Sequence, residues 1–298
     1  MLRDKLKGVV GFPITPFRKE DLSIDLESLE FNVLEMIKHP FCSLVAAGGT
    51  GEMYSMTPGE NIEVVRRTVA VTNGKMPVIG GVGFNGRIAS EMAREMEKAG
   101  ADALLVMPPY YTNAPSEGLY DYYAEVGRAS GLPLAIYSRD WAVFTPDMVA
   151  RLADKVPTLQ IWKDGQGDAR RYQKIMSKLG NRLAWLGGLG DDCITPYFSI
   201  GVQGYTSSIS NVAPRLSLKM AELGLAQDFV SLNKLVNQFV HPLYALRERK
   251  RGYEVSIMKT MMDLIGLKGG PVRPPLENNT PEETEMTKKI VELYKEWM

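Results

Sequence analysis

Short apolar runs alternate along the chain with stretches of helical period. The runs lie at residues 9–14, 43–47, 77–81, 103–107, 134–137, 159–162, 183–186 and 204–206. They are apolar at successive positions rather than at every second one, as strands buried on both faces of a parallel sheet are, and Gly, Pro or Asn bounds most of them. Between them, residues 25–38 place Leu26, Leu29, Val33, Leu34 and Ile37 on one helical stripe. Thr57-Pro58-Gly-Glu60 combines a capping residue, a first-turn proline and an acid three positions on, which predicts a helix start. Residues 90–99, 116–129, 145–155 and 169–179 repeat the theme. Eight strands alternating with helices predict an α/β fold, a (β/α)8 TIM barrel. An open doubly wound sheet is the alternative, because periodicity does not report closure. No dinucleotide fingerprint follows the first strand: Gly11-Phe-Pro-Ile-Thr-Pro16 has the wrong glycine spacing.

From residue 213 onward no further strand is predicted. Residues 228–251, 255–265 and 281–298 carry helical patterns, and Gly266-Leu-Lys-Gly-Gly-Pro-Val-Arg-Pro-Pro-Leu276 is a stiff connector that excludes helix. The expected organisation is a barrel over 1–212 and a helical extension over 213–298 packed on it.

Composition narrows the partners. Lysine plus arginine (35) balances aspartate plus glutamate (35), with no basic run, so neither nucleic acid nor an anionic membrane has an electrostatic footprint to meet. No apolar run reaches membrane-spanning length, and the charged start Met1-Leu-Arg-Asp-Lys-Leu-Lys7 lacks the apolar segment of a signal peptide. Cys42 and Cys193 form no metal spacing and are expected to be free thiols, and His39 and His241 are too isolated for a zinc site or a triad. A soluble cytoplasmic protein without a metal is expected.

In such a barrel the reactive groups stand at the C-terminal ends of the strands. One run ends in Leu159-Gln-Ile-Trp-Lys163 and breaks at Gly165. A lysine there is costly unless it is neutral, paired or in use. Keeping it neutral near pH 7 asks about 4 kcal/mol of its surroundings. A neutral amine can attack a ketone and form a Schiff base, whose iminium draws electrons from neighbouring carbons. The alternative is a rim lysine paired with Asp164 or Asp168. Gly48-Gly49-Thr50-Gly51-Glu52 ends the second run; its amides suit an anion, although in isolation a flexible turn is the favoured reading. Pro108-Pro-Tyr-Tyr111 ends the fourth run and is read in isolation as a rim plug. Tyr137-Ser-Arg139 ends the fifth, with a phenol able to pass a proton and a guanidinium able to grip a carboxylate. Gly187-Gly188 and Thr206-Ser207-Ser-Ile-Ser-Asn211 end the last two runs, offering small residues and hydroxyls to a ligand.

The order Gly-Gly-Thr-Gly-Glu, Pro-Tyr-Tyr, Ile-Tyr, Lys-Asp, Gly-Gly, Ser-x-x-x-Asn at successive strand ends resembles the dihydrodipicolinate synthase/N-acetylneuraminate lyase superfamily over nearly the whole chain. The synthases carry a second loop threonine where Gly49 stands, and a carboxylate-binding arginine where Ala142 stands; here Arg139 is closer to the tyrosine. With Gly252-Tyr-x-Val-Ser-Ile and Gly270-Pro-Val-Arg-Pro-Pro-Leu276, the chain is similar to the 5-dehydro-4-deoxyglucarate dehydratase branch. The resemblance implies a keto sugar diacid as substrate and no cofactor, because a lysine imine is the electron sink. It implies Lys163 as the imine former and Tyr137 as the catalytic tyrosine. Gly48, Gly49 and Thr50 would hold the carboxylate beside the ketone, and Arg139, or Ser207 with Asn211, the distal one. Gly188 and Thr206 complete the substrate-contacting set. Tyr111 would reach a neighbouring subunit's site in a dimer or dimer of dimers. The alternatives are an aldolase or synthase of the same superfamily, or a barrel that binds sugar acids without turnover.

Overall fold

The computed structural model describes residues 2–111 and 113–298. Eight parallel strands close into a barrel in chain order: β1 (Gly8–Gly11), β2 (Ser43–Ala46), β3 (Val78–Phe84), β4 (Ala103–Pro109), β5 (Leu134–Ser138), β6 (Leu159–Asp164), β7 (Ala184–Gly187) and β8 (Gly204–Ser207). Closure runs through β1, which pairs with β8 from Gly8↔Gly204 to Gly11↔Ser207 and with β2 on its other side. The open-sheet alternative is thereby excluded.

Strands buried on both faces feed two apolar layers. Val10, Val45, Ile79, Leu105, Ile161 and Leu186 fill the barrel interior. A much larger outer core joins the other strand faces to the helices α1 (Leu26–Met36), α2 (Pro58–Thr72), α3 (Gly86–Lys98), α4 (Ser116–Ala129), α5 (Pro146–Lys155), α6 (Ala169–Leu179), α7 (Ile194–Ser199) and α8 (Pro214–Leu225). Each fully buried aliphatic side chain contributes about 1.5–3 kcal/mol. The helix start expected at Thr57 is a full capping box: Glu60 N donates to Thr57 Oγ1 at 3.2 Å, and Thr57 N to Glu60 Oε2 at 2.8 Å.

Several boundaries move. The first strand ends at Gly11 rather than at residue 14, while β6 runs through Lys163 to Asp164. The short α7 carried no readable period. The α8 helix begins just past residue 213 and packs on β1 and β8. The single helix expected over 228–251 is broken: α9 (Phe229–Leu235) passes through a π-turn (Val236–Val240) into α10 (His241–Arg247). A π-turn shifts the face that follows, which apolar periodicity does not resolve. The chain ends in α11 (Tyr253–Leu264) and α12 (Pro281–Tyr294). No helix among the described residues is long and apolar enough to cross a membrane. Cys42 and Cys193 are free and half-buried.

Candidate active site

The alternation of β6 decides where its polar end points. Ile161 and Lys163 face the barrel interior, while Trp162 and Asp164 face the helices. The Asp164 carboxylate is therefore turned away from the lysine and accepts hydrogen bonds from Tyr197 Oη at 2.9 Å and the amides of Gly167 and Gln166. Asp168 caps α6 and pairs with Arg171. Neither acid neutralises Lys163, so the paired-rim alternative does not describe this lysine.

Lys163 is 4% exposed. Burial holds its ammonium well below the ordinary value of 10.5; the positive charge of Arg139 adds to this and Asp164 opposes it. The side chain lies on Tyr137, with Nζ 3.1 Å from the ring centroid, and the two residues are paired across β5 and β6. Both donate to one acceptor, the Gly188 carbonyl: Tyr137 Oη at 2.8 Å and Lys163 Nζ at 3.1 Å. Any side chain at Gly188 would displace the lysine, because a Cβ there would lie 2.5 Å from Lys163 Cγ and 2.8 Å from Nζ. Gly165 has the same constraint against the Tyr137 ring, at 2.5 Å. These glycines make room for the Lys163 and Tyr137 side chains themselves, a role that composition did not reveal.

Arg139 is the cation on this phenol. Its Nη1 donates to Tyr137 Oη at 2.9 Å. Burial raises the Tyr137 phenol above its usual value of 10.0, and Arg139 pulls it back. The guanidinium expected to grip a distal carboxylate is thus engaged with the tyrosine.

The glycine loop leaves β2 through Ala47, whose φ is 50°, and turns back on itself as Glu52 N and Met53 N donate to the Gly49 and Gly48 carbonyls. Gly81 on β3 lets the Ala47 carbonyl approach where any Cβ would collide. Among the described residues, the amides of Gly49, Thr50 and Gly51 and the Thr50 hydroxyl have no partner. Successive free amides beside a hydroxyl are a concavity for an anion.

The remaining expected contacts are placed differently. Thr206 Oγ1 donates to Gly187 O at 3.3 Å beside the lysine wall. Ser207 faces outward and is bound to Asp191 Oδ1 at 2.5 Å and Ser217 Oγ at 2.8 Å. Asn211 ties the loop after β8 to the loop after β1, donating to Phe12 O and Ser208 O and accepting from Ile14 N. Their polar atoms are spent on the frame. Tyr111 is 88% exposed at a φ of 74° and does not join the cluster within this chain.

Sequence reasoning missed two ionic pairs, one buried and one half-buried, that only tertiary contact reveals. Glu52 at the end of the glycine loop pairs with Lys259 of α11, Nζ to Oε1 2.5 Å, both fully buried. Arg273 of the proline-rich connector grips Glu60 with both prongs, at 2.7 and 3.0 Å, and donates to Ser55 O. The connector and α11 thus fasten the loop after β2. Among the described residues no cluster of His, Cys, Asp and Glu could hold a metal ion.

Residues 5–294 match the model of the dihydrodipicolinate synthetase family. The chain is 39% identical over 289 residues to a Bradyrhizobium diazoefficiens protein named "probable 5-dehydro-4-deoxyglucarate dehydratase", covering 95% of this chain and 92% of that one. It is 40% identical to a Ralstonia nicotianae protein of the same name, covering 93% and 89%. Among solved structures, dihydrodipicolinate synthase from Bacillus clausii superposes with a TM-score of 0.93 at 26% identity, covering 99% of this chain and 100% of that one.

Proposed function

From the premise that this chain belongs to the dihydrodipicolinate synthetase family, we infer that it is a decarboxylating hydro-lyase: it converts 5-dehydro-4-deoxy-D-glucarate to 2,5-dioxopentanoate, water and carbon dioxide. The observation that carries the reading is the buried Lys163 amine, without a carboxylate partner and sharing the Gly188 carbonyl with the Tyr137 hydroxyl. The branch follows from the relatives' name and from Gly49, which removes the loop hydroxyl a synthase would carry there.

In the proposed sequence Lys163 condenses with the C5 ketone and releases water. The iminium acidifies C4–H, and loss of that proton gives an enamine. The enamine expels the C3 hydroxyl, with Tyr137 passing the proton. Arg139, held on the phenol oxygen, stabilises the phenolate at the moment it has given its proton up. The conjugated iminium accepts the electrons of the C1–C2 bond as carbon dioxide leaves. C2 emerges as an enol that becomes the aldehyde, and hydrolysis returns the lysine. The amides of Gly49, Thr50 and Gly51 and the Thr50 hydroxyl hold the C6 carboxylate next to the reacting ketone. The electron sink is the imine itself, so no cofactor enters the scheme.

Borohydride reduction in the presence of substrate should leave its mass on the Lys163 peptide, and a coupled 2,5-dioxopentanoate dehydrogenase should report turnover. An adduct on another lysine, or none, ends the Schiff-base reading. Release of pyruvate would instead point to an aldolase. The family reading also implies a homo-oligomer, with the exposed Tyr111 directed at a neighbouring subunit; light scattering of the purified chain tests it.

A further inference from the structure

A six-carbon diacid has a second carboxylate, C1, four bonds from the imine carbon, and the expected receptors for it already carry other contacts. Arg139 spends one N–H on Tyr137 and faces its neighbour Asp140 at 3.7 Å, and Ser207 and Asn211 are bonded into the frame. One cation at this end of the barrel is underused. Arg247, the last residue of α10, is 4% exposed. Its Nη2 donates to Ser208 Oγ at 2.9 Å, its Nε has no partner, and among the described residues no carboxylate is in ion-pair contact with it. Its Cζ lies 5.0 Å from the Tyr244 ring centroid. Asp191 and Asp192 are the acids whose charges act on Arg247 from a distance, and Asp191 already accepts from Ser207, from Ser208 through both amide and hydroxyl, and from Tyr244. A guanidinium offers five N–H groups in a planar fork, and burying one with a single neutral hydrogen bond is expensive unless an anion completes it.

Its location fits the missing contact. Ser208 is the first residue past β8, at the same rim as Lys163 and the glycine loop. Around the closed barrel β8 stands two strands from β6, which carries the lysine, and two from β2, which carries the loop. Thr206 beside it bonds to Gly187, one residue before the carbonyl that holds Lys163.

We propose that Arg247, oriented by Ser208 and Tyr244, is the residue that receives the distal carboxylate and selects diacids over monoacids. This deepens the dehydratase reading and rests on it. It also gives the broken helix over 228–251 a purpose: the π-turn before α10 sets the face from which Arg247 reaches the rim.

The test compares two unreactive keto acids of substrate length. 2-Oxoadipate carries both carboxylates, and 2-oxohexanoate lacks the distal one. Binding is measured by calorimetry, and adduct formation at Lys163 separately by borohydride trapping and mass. The wild-type protein should prefer 2-oxoadipate. Arg247→Gln should lose about tenfold to a hundredfold of affinity for 2-oxoadipate while its affinity for 2-oxohexanoate stays put, as removal of a charged hydrogen-bonding partner does. Arg247→Lys keeps the charge without the fork and should fall between, which provides a second variant if the glutamine form folds poorly. Equal weakening of both acids, or of neither, overturns the proposal and leaves Arg247 a frame residue. Absence of any trapped adduct in the wild type would sink the Schiff-base reading instead, and the calorimetric preference would still report on Arg247.

Discussion

At the scale of single residues the site turns on one amine whose charged form is disfavoured by burial. The unfolded Lys163 titrates near 10.5 and the folded one well below it, so between those values the unfolded chain holds a proton that the native one lacks. This contribution to stability therefore rises with pH across that window. Lys163→Met should stabilise the protein most on the acid side of the window and progressively less towards 10.5, read as the change in urea midpoint at several pH values. Borohydride trapping should follow the same titration, with an inflection well below 10.5. Arg139 is the second cause of the depression, after burial. Arg139→Gln should move that inflection to higher pH, and an unmoved inflection would show that burial acts alone. Gly188 offers a steric counterpart. Gly188→Ala forces a methyl into the space of Lys163 Cγ, and a displaced nucleophile costs about 100-fold in rate. Unchanged turnover in that variant would contradict this packing.

At the scale of elements, the C-terminal segments hold the front of the site in place. Burial pushes the Glu52 carboxyl up and the Lys259 ammonium down, and the ion pair between them opposes both shifts. Removing one partner strands the other, so Lys259→Met should cost about 3–5 kcal/mol in denaturant unfolding. The double variant Glu52→Gln with Lys259→Met should recover part of that loss. Full additivity of the two single losses would show that the pair is not coupled. Arg273 acts on the same loop from outside, through Glu60 and Ser55. This accounts physically for a proline-rich connector in the chain: a stiff segment holds its guanidinium at a fixed reach.

At the scale of the whole molecule, barrel and helical extension share one apolar core that includes Tyr253, Met261 and Tyr294 with the strand residues. We expect the chain to unfold as one cooperative unit, with fluorescence and circular dichroism giving coincident transitions; two separated transitions would make residues 213–298 a domain of their own. The eight strands and most of the helices were legible in the sequence, because burial on both faces and a 3.6-residue period leave marks on neighbouring residues. Lys163, Tyr137 and the Gly48–Gly-Thr-Gly51 loop were legible too, since each sits where a strand stops. What each polar group touches was not. Whether Arg139 meets a carboxylate or a phenol, whether Ser207 faces ligand or frame, and whether Lys163 meets Asp164 all depend on strand alternation and on which segments the barrel's closure brings side by side. Lys259, Arg273 and Arg247 are remote in sequence from the loops they serve and carry no local signal. Sequence determined the elements and the candidate reactive groups, which are local properties of the chain; tertiary structure alone decided their partners, because partnership is set by contacts between residues as many as 251 positions apart, as Arg273 and Leu22 are.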